Sequence, residues 1–341
     1  MDNYILSWLY WGGNELAKEF GFKAHDLQTI FRLEMDKRYD SWSIKKPDGG
    51  GRTIMSPTYE LKKIQRILLD RLFSQIPVSP AAHGGVPGRS IITNARPHQN
   101  NRSMVCYDLE KAFDSTSFHR EFIYPHVYGC TYPQHEFEIG GNMLLALAEI
   151  VDYVDASGTY SLPQGAPTSP VVFNLICRNL DKALGRLAGN IEGAAYTRYF
   201  DNICFSIPAE RMDPVLQRAI ARMITKYAPA PINRTKTRVI SNGNRKEQPL
   251  RLPGVSIIEE SLVVSPKTIK HLRMAGYCAL RVEDESTIDG IRAFIRMVYG
   301  ERVPGQLKFL FDRTKQEKET DDTRIESGIA IQVGDNGLLT W

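Results

Sequence analysis

Tyr196-Thr197-Arg198-Tyr199-Phe200-Asp201-Asn202-Ile203-Cys204-Phe205-Ser206-Ile207 is the stretch that decides the fold of this chain. Two apolar runs flank a polar pair, and the pattern predicts a β-hairpin with Asp201-Asn202 at its tip. Both residue types tolerate the positive φ of a tight turn. Alone, such a dipeptide is a turn and carries no chemistry. Upstream, Met104-Val105-Cys106-Tyr107-Asp108 is a second apolar run ending in an acid. Alone, it reads as a strand and its terminator. If the two strands are neighbours, Asp108 and Asp201 converge at one end of a sheet, where rigid backbone can hold two carboxylates in fixed geometry.

The bulk numbers set wide bounds. The chain has 341 residues, enough to bury one large core or two medium ones, and ordinary apolar and charged fractions of 42% and 24%. A net charge of +4 permits a nucleic-acid partner without requiring one. No apolar run approaches the length of a membrane span, so no membrane partner is expected. The start, Met1-Asp2-Asn3-Tyr4, lacks the basic and apolar regions of a secretory leader. Cys106, Cys130, Cys177, Cys204 and Cys278 are scattered, with no CxxC pair. They read as reduced thiols of a cytoplasmic protein, and a zinc site is not expected.

Along the chain, Leu16, Phe20, Leu27, Ile30 and Leu33 recur at helical spacing, with Gly21 ending one helix and Asp26 capping the next. Trp42 to Ile54 reads as strand, glycine turn, strand. Leu61, Ile64, Leu68 and Leu72 give a helix over 58–75 one apolar face. Further helices are predicted from about Phe118, over 141–152, after the loop at Gly165, over 210–227, and from Ser265 to about Arg313. The tail from Thr314 is polar, then weakly β-like. Helices alternating with short antiparallel strands make an α+β fold.

Between the two acidic strand ends lies Leu162-Pro163-Gln164-Gly165-Ala166-Pro167-Thr168-Ser169-Pro170. This nine-residue run resembles the second palm motif of reverse transcriptases almost letter for letter, and Phe173-Asn174 continues it. Asp108-Leu109-Glu110-Lys111-Ala112-Phe113-Asp114-Ser115 resembles their first palm motif, and Tyr199-Phe200-Asp201-Asn202 their Tyr-x-Asp-Asp box. Lys45-Lys46 through Ile54 resembles the fingers hairpin, and Asn233 to Thr237 the lysine-bearing fourth motif. The likeness spans about residues 39–260. Within the family the chain is most similar to bacterial retron enzymes, through Ala82-His83-Gly84, Gly88-Arg89-Ser90 and Asn94-Ala95-Arg96-Pro97-His98. Leu252-Pro253-Gly254 departs from the Val-Thr-Gly common there.

The resemblance implies a right-hand polymerase: an N-terminal helical segment (1–38), fingers (39–103), a palm with an antiparallel sheet and interleaved fingers elements (104–258), and a helical thumb with the tail (259–341). Nucleotidyl transfer uses two divalent ions about 3.5–4 Å apart. Magnesium, a hard cation, takes carboxylates and substrate phosphates. The implied metal ligands are Asp108, Asp201 and the Leu109 carbonyl, with Asn202 completing the catalytic turn. Phe113 falls at the sugar gate, where a ring excludes a 2′-hydroxyl and selects deoxynucleotides. Gln164 and Gly165 would lie near the incoming nucleotide, Lys46 and Arg52 on its triphosphate, and Lys236 as donor to pyrophosphate. Arg234, Arg238, Arg245 and Lys246, then Lys267, Lys270 and Arg273, with Arg292 and Arg296 further on, form candidate backbone-contact strips. His98 is the candidate RNA contact. Each of these also has a plain reading as a solvated charge, a core ring or a hydrogen-bonded histidine.

Asn202 stands where most family members carry a second aspartate. An amide oxygen can face a cation but brings no charge, so weaker metal binding is expected. The implied partners are a structured non-coding RNA, its DNA product, deoxynucleotides and an effector protein, the product being a branched RNA–DNA molecule used in anti-phage defence. Two other readings stand beside this one. One is another defence or abortive-infection reverse transcriptase making untemplated or repetitive DNA. The other is an RNA-binding scaffold with weakened catalysis.

Overall fold

The computed structural model describes residues 3–45, 50–123, 141–241, 249–258 and 261–311, and the backbone of two short strands, Gln332–Val333 and Leu339–Thr340. Two helices open the chain, α1 (Asn3–Phe20) and α2 (Ala24–Arg32). Gly21, at φ +73°, ends α1 as expected. Asp26 is not the cap of α2. Lys23 holds that position, and Asp26 lies in the first turn, where its charge complements the helix dipole. Leu16 and Phe20 of α1 share one core with Leu27, Ile30 and Phe31 of α2.

The hairpin β1 (Tyr39–Lys45) and β2 (Gly51–Pro57) follows, paired from Tyr39↔Pro57 to Lys45↔Gly51. Helix α3 (Tyr59–Arg71) buries Leu61, Ile64 and Leu68 on the expected face and ends short of the predicted boundary, giving way to a 3₁₀ turn at Phe73–Gln75. A short helix α4 (Ile91–Ala95) starts on a reciprocal cap between Ser90 and Thr93. Strand β3 (Ser103–Asp108) comes next, then a π-helical turn at His119–Ile123, helix α5 (Gly141–Val151) and the small pair β4 (Tyr153–Val154) and β5 (Tyr160–Ser161). Helices α6 (Ser169–Ile176) and α7 (Arg178–Gly189) precede strands β6 (Ala195–Tyr199) and β7 (Asn202–Ile207). Helix α8 (Pro214–Tyr227), capped by Asp213, and strand β8 (Arg238–Ser241) follow. Strands β9 (Leu250–Leu252), β10 (Val255–Ile258) and β11 (Ser261–Val263) form a small antiparallel sheet. Helices α9 (Pro266–Arg281) and α10 (Glu285–Tyr299) and a 3₁₀ turn at Gly305–Leu310 complete the described helices. The tail strands pair with each other.

The central sheet has the order β6-β7-β3-β8, antiparallel throughout. Because side chains alternate across a strand, it builds two cores. Val105 and Tyr107 of β3 and Ile203 and Phe205 of β7 join the helices before and after the sheet. Met104, Cys106 and Cys204 face a second core with β9, β10, α9 and α10. Each fully buried Ile or Phe contributes about 1.5–3 kcal/mol. The fold is α+β, with open sheets and helices.

Candidate active site

The apolar runs before Asp108 and after Asn202 pair residue for residue, Met104↔Ser206 through Asp108↔Asn202. That register brings both acids to one sheet end. The Leu109 N–H donates to the Asp201 carbonyl at 3.1 Å, and the Asn233 N–H donates to the Asp108 carbonyl at 2.7 Å. The Asn233–Thr237 segment is thereby tied to the same place, and Lys236 Nζ stands 3.4 Å from Asp108 Oδ1. Burial, then the neighbouring charge of Asp108, holds the Asp201 carboxyl above its ordinary pKa, while Arg52 and Lys236 pull the other way.

The tip of the hairpin is one residue earlier than predicted. Tyr199 pairs with Asn202, so Phe200-Asp201 make the turn and Asn202 opens β7. Phe200 carries φ +53°, a position where a two-residue turn usually takes glycine. Gly84 and Gly85 make the room: a Cβ on either would come within 2.9 Å of Phe200. The Asn202 amide is turned toward its neighbour, Nδ2 donating to Asp201 Oδ1 at 3.0 Å.

The loop over 162–168 closes on β2. The Met55 N–H donates to the Gln164 carbonyl at 2.7 Å. Gly165 has φ +130°, and a Cβ there would sit 2.7 Å from the Met55 carbonyl oxygen. Only glycine admits that approach. Gln164 Nε2 donates to Asp114 Oδ1 at 2.9 Å, linking the loop to the segment that carries Phe113. Phe113 is half-buried, stacked on Phe173 at 5.0 Å and tilted against Phe200 at 6.0 Å. Arg52, exposed on β2, is near enough to act on Asp201.

His98 is not at a surface. It is fully buried, with Nδ1 2.6 Å from Ser206 Oγ and Nε2 2.8 Å from Thr197 Oγ1, and burial pushes its pKa down to about 3. Thr197 Oγ1 also donates to the Asn94 carbonyl. The Asn94-to-His98 signature therefore braces the back of β6 and β7. Arg234 and Arg238 are exposed beside Lys236, and Lys267, Lys270 and Arg273 are exposed on α9, Arg273 lying over the Tyr277 ring. Arg292 is turned inward, Nε donating to the Leu310 carbonyl at 2.6 Å, and Arg296 lies over Phe311. Lys46, Arg245 and Lys246 lie outside the described residues, as does Cys130. Cys106, Cys177 and Cys204 are buried free thiols and Cys278 is an exposed one.

Sequence reasoning missed the support behind the turn. Arg198 and Asp181 form a fully buried ion pair, and Arg198 reaches the Phe200 carbonyl. The available signal was an arginine inside the otherwise apolar and hydroxylic strand Ala195–Tyr199.

The residues suit magnesium in kind. Both carboxylates are hard oxygen donors, and Asp108 already holds a cation, the Lys236 ammonium. Among the described residues no group of three or more His, Cys, Asp or Glu side chains converges. Two carboxylates match the magnesium habit of relying on substrate phosphates for the rest.

Sheet, turn and the tethered Lys236 segment place two carboxylates and an ammonium at one sheet end. The chain matches the reverse transcriptase (RNA-dependent DNA polymerase) family over residues 44–270, and it belongs to that family, among the bacterial enzymes of retron type. It is similar to the retron Mx162 reverse transcriptase of Myxococcus xanthus, 33% identical over 83% of this chain and 63% of that one. The retron Mx65 enzyme of the same organism is 32% identical over 79% of this chain and 63% of its own. The retron Ec86 enzyme of Escherichia coli is 31% identical over 73% of this chain and 75% of its own. The chain thus spans under two thirds of the length of the two Myxococcus relatives. A solved telomerase from Candida albicans aligns with 12% identity over 80% of this chain and 56% of that one, at a TM-score of 0.43, too low to bear on detail. No described helix is long and apolar enough to cross a membrane.

Proposed function

We propose that this protein is an RNA-directed DNA polymerase of retron type. It copies a structured non-coding RNA into DNA, leaves a branched RNA–DNA product, and serves anti-phage defence with an effector protein in the bacterial cytoplasm. The observation that carries the polymerase reading is the meeting of Asp108 and Asp201 at one sheet end, with Lys236 at 3.4 Å from Asp108. In this reading β1, β2 and α3 belong to the fingers, the central sheet to the palm, and α9 and α10 to the thumb.

Asp108, Asp201 and the Leu109 carbonyl would hold two magnesium ions. When bound, these ions lower the pKa of the primer hydroxyl and offset the charge of the triphosphate. The primer hydroxyl gives up its proton to solvent, and its oxygen bonds to the α-phosphorus as the bond to pyrophosphate breaks. Lys236 and Arg52 supply positive charge to the phosphates, with Lys46 assigned to the same task, and Lys236 passes a proton to the leaving pyrophosphate. Phe113, backed by Phe173, closes the space that a 2′-hydroxyl needs. Gln164 and Gly165 seat the nucleotide against β2. Arg234, Arg238, Lys267, Lys270 and Arg273 offer phosphate contacts along the nucleic acid, joined in this reading by Arg245 and Lys246.

Deoxynucleotide incorporation on a primed RNA template with magnesium tests the reading. The protein should extend the primer and Asp201→Ala should not. No extension by the protein or by Asn202→Asp, with cognate RNA still bound, would overturn catalysis and leave the scaffold. RNA covalently joined to DNA in the purified protein supports the retron product, and repetitive DNA would replace it with the other defence reading.

A further inference from the structure

A completely buried charge lies behind the Phe200-Asp201 turn. Arg198 donates from Nε and Nη2 to Asp181 Oδ1 and Oδ2 at 2.8 and 2.7 Å, and both side chains are fully buried. The Tyr196 hydroxyl donates to the same Oδ1 at 2.6 Å. The remaining guanidinium nitrogen, Nη1, donates to Asn174 Oδ1 at 3.0 Å and to the Phe200 carbonyl at 3.2 Å. Asn174 Nδ2 in turn donates to the Gly84 carbonyl at 2.9 Å. The guanidinium carbon also lies 5.8 Å from the centre of the Phe173 ring, on which Phe113 stacks.

Stability alone does not account for this arrangement. Burying two charges costs about as much as their attraction returns, and apolar residues of similar volume fill such a space as well or better. Apolar residues have no equivalent of Nη1. Phe200 is held at a φ that suits glycine, and strain of this kind persists only where the surroundings over-determine it. The guanidinium, fixed in a plane by the two carboxylate oxygens, is a rigid donor aimed at the carbonyl of that strained residue. The same group also lies against Phe173, the ring on which Phe113 stacks.

We propose that Arg198, locked by Asp181 and Tyr196, is a positioning residue that sets two features of the site together: the seat of the Asp201 carboxylate, through the Phe200 carbonyl, and the placement of the Phe113 ring, through Phe173. This rests on the polymerase reading above for the role of Phe113. Its consequence is that cation affinity and sugar selectivity move together when the network is altered, although Arg198 touches neither cation nor nucleotide.

The test is the double variant Asp181→Leu/Arg198→Met, in which both charges leave together and the core stays filled. Folding is checked by circular dichroism and thermal melting. Manganese affinity is measured by electron paramagnetic resonance without nucleotide, and selectivity as the ratio of kcat/KM for deoxy- over ribonucleotide. The expected result is a folded protein with manganese affinity weakened about tenfold and selectivity lowered about tenfold, the scale on which supporting partners act on a ligand. A folded double variant in which both are unchanged, or in which only one moves, overturns the proposal. Should that variant not fold, Asn174→Ala keeps the ion pair and removes one Nη1 acceptor and the Gly84 link. It should shift both readouts in the same direction by a smaller factor, and a folded Asn174→Ala with neither shifted overturns the proposal. If neither the unaltered protein nor Asn202→Asp incorporates nucleotide, the polymerase reading fails by itself, and the manganese titration still decides whether Arg198 seats Asp201.

Discussion

Replacing Asn202 with aspartate removes a donor and adds a charge at the most crowded point of the site. The Asn202 amide donates to Asp201 Oδ1 at 3.0 Å, and Asn202 lies directly opposite Asp108. A carboxylate in its place faces two others. At 3.0 Å and an effective dielectric of about 20, one such repulsion amounts to about 5 kcal/mol. Taking up a proton at pH 7 limits that figure, because protonating an ordinary Asp carboxyl there costs about 4 kcal/mol. Partial exposure lowers it further, so without divalent cation Asn202→Asp should lose about 2–4 kcal/mol, a fall in Tm of several degrees. Divalent cation reverses the sign: three carboxylates bind it more tightly than two, and binding to the native state restores stability by mass action. The assay is thermal unfolding of both proteins across a magnesium series, with chelator as the zero point. The curves should cross, the variant melting lower in chelator and gaining more per decade of magnesium. Identical melting in chelator, or equal gains in both proteins, would refute the reasoning that an amide at 202 spares the site a third, mutually repelling carboxylate.

Three further outcomes can be checked. Phe113→Val should cost about 1–2 kcal/mol of stability, since the ring is half-buried on Phe173, and should raise ribonucleotide use by about 10- to 100-fold in single-nucleotide incorporation. Gly165→Ala puts a Cβ 2.7 Å from the Met55 carbonyl at φ +130°; about 1–3 kcal/mol of strain should appear, and the KM for deoxynucleotide should rise with the opening of the Met55–Gln164 bond. His98, held neutral by burial with a pKa of about 3 against 6.5 unfolded, makes the protein acid-sensitive. Between those values the unfolded chain binds more protons, so its contribution is complete above pH 6.5 and lost on acidification, about 2 kcal/mol by pH 5. Urea unfolding at pH 7 and pH 5 should show that loss, and His98→Gln should reduce it.

Much of the site is legible in the order of residues because each acid ends an apolar strand, and antiparallel pairing of two such strands brings their ends together. The Gly165 approach is legible for a related reason: a loop punctuated by prolines at 163 and 167 cannot become helix, and Pro170 is tolerated only because it falls in the first turn of α6. The turn is less so. Local preference puts Asp201-Asn202 at the tip, but the pairing of β6 with β7 and the space left by Gly84 and Gly85 put Phe200 there, the latter a tertiary effect no local pattern reports. His98 shows the same limit. A histidine in a polar segment reads as a surface group until the hydroxyls of Thr197 and Ser206 are found around its ring. Arg198 is the plainest case, since a charge within a strand declares itself as buried only once its partner, 17 positions upstream at Asp181, is in view.

The two-sided use of β3 has a consequence for how this chain can be divided. Val105 and Tyr107 look into one core while Met104 and Cys106 look into the other, so the strand is a party wall. A chain cut before Leu250 would keep every acidic and aromatic group of the site and still strip the plaster from the far side of the wall, leaving Met104, Cys106, Cys204 and Ile92 facing water. The strand that ends in Asp108 is thus a joint tenancy, and neither household can be evicted without bringing down the other.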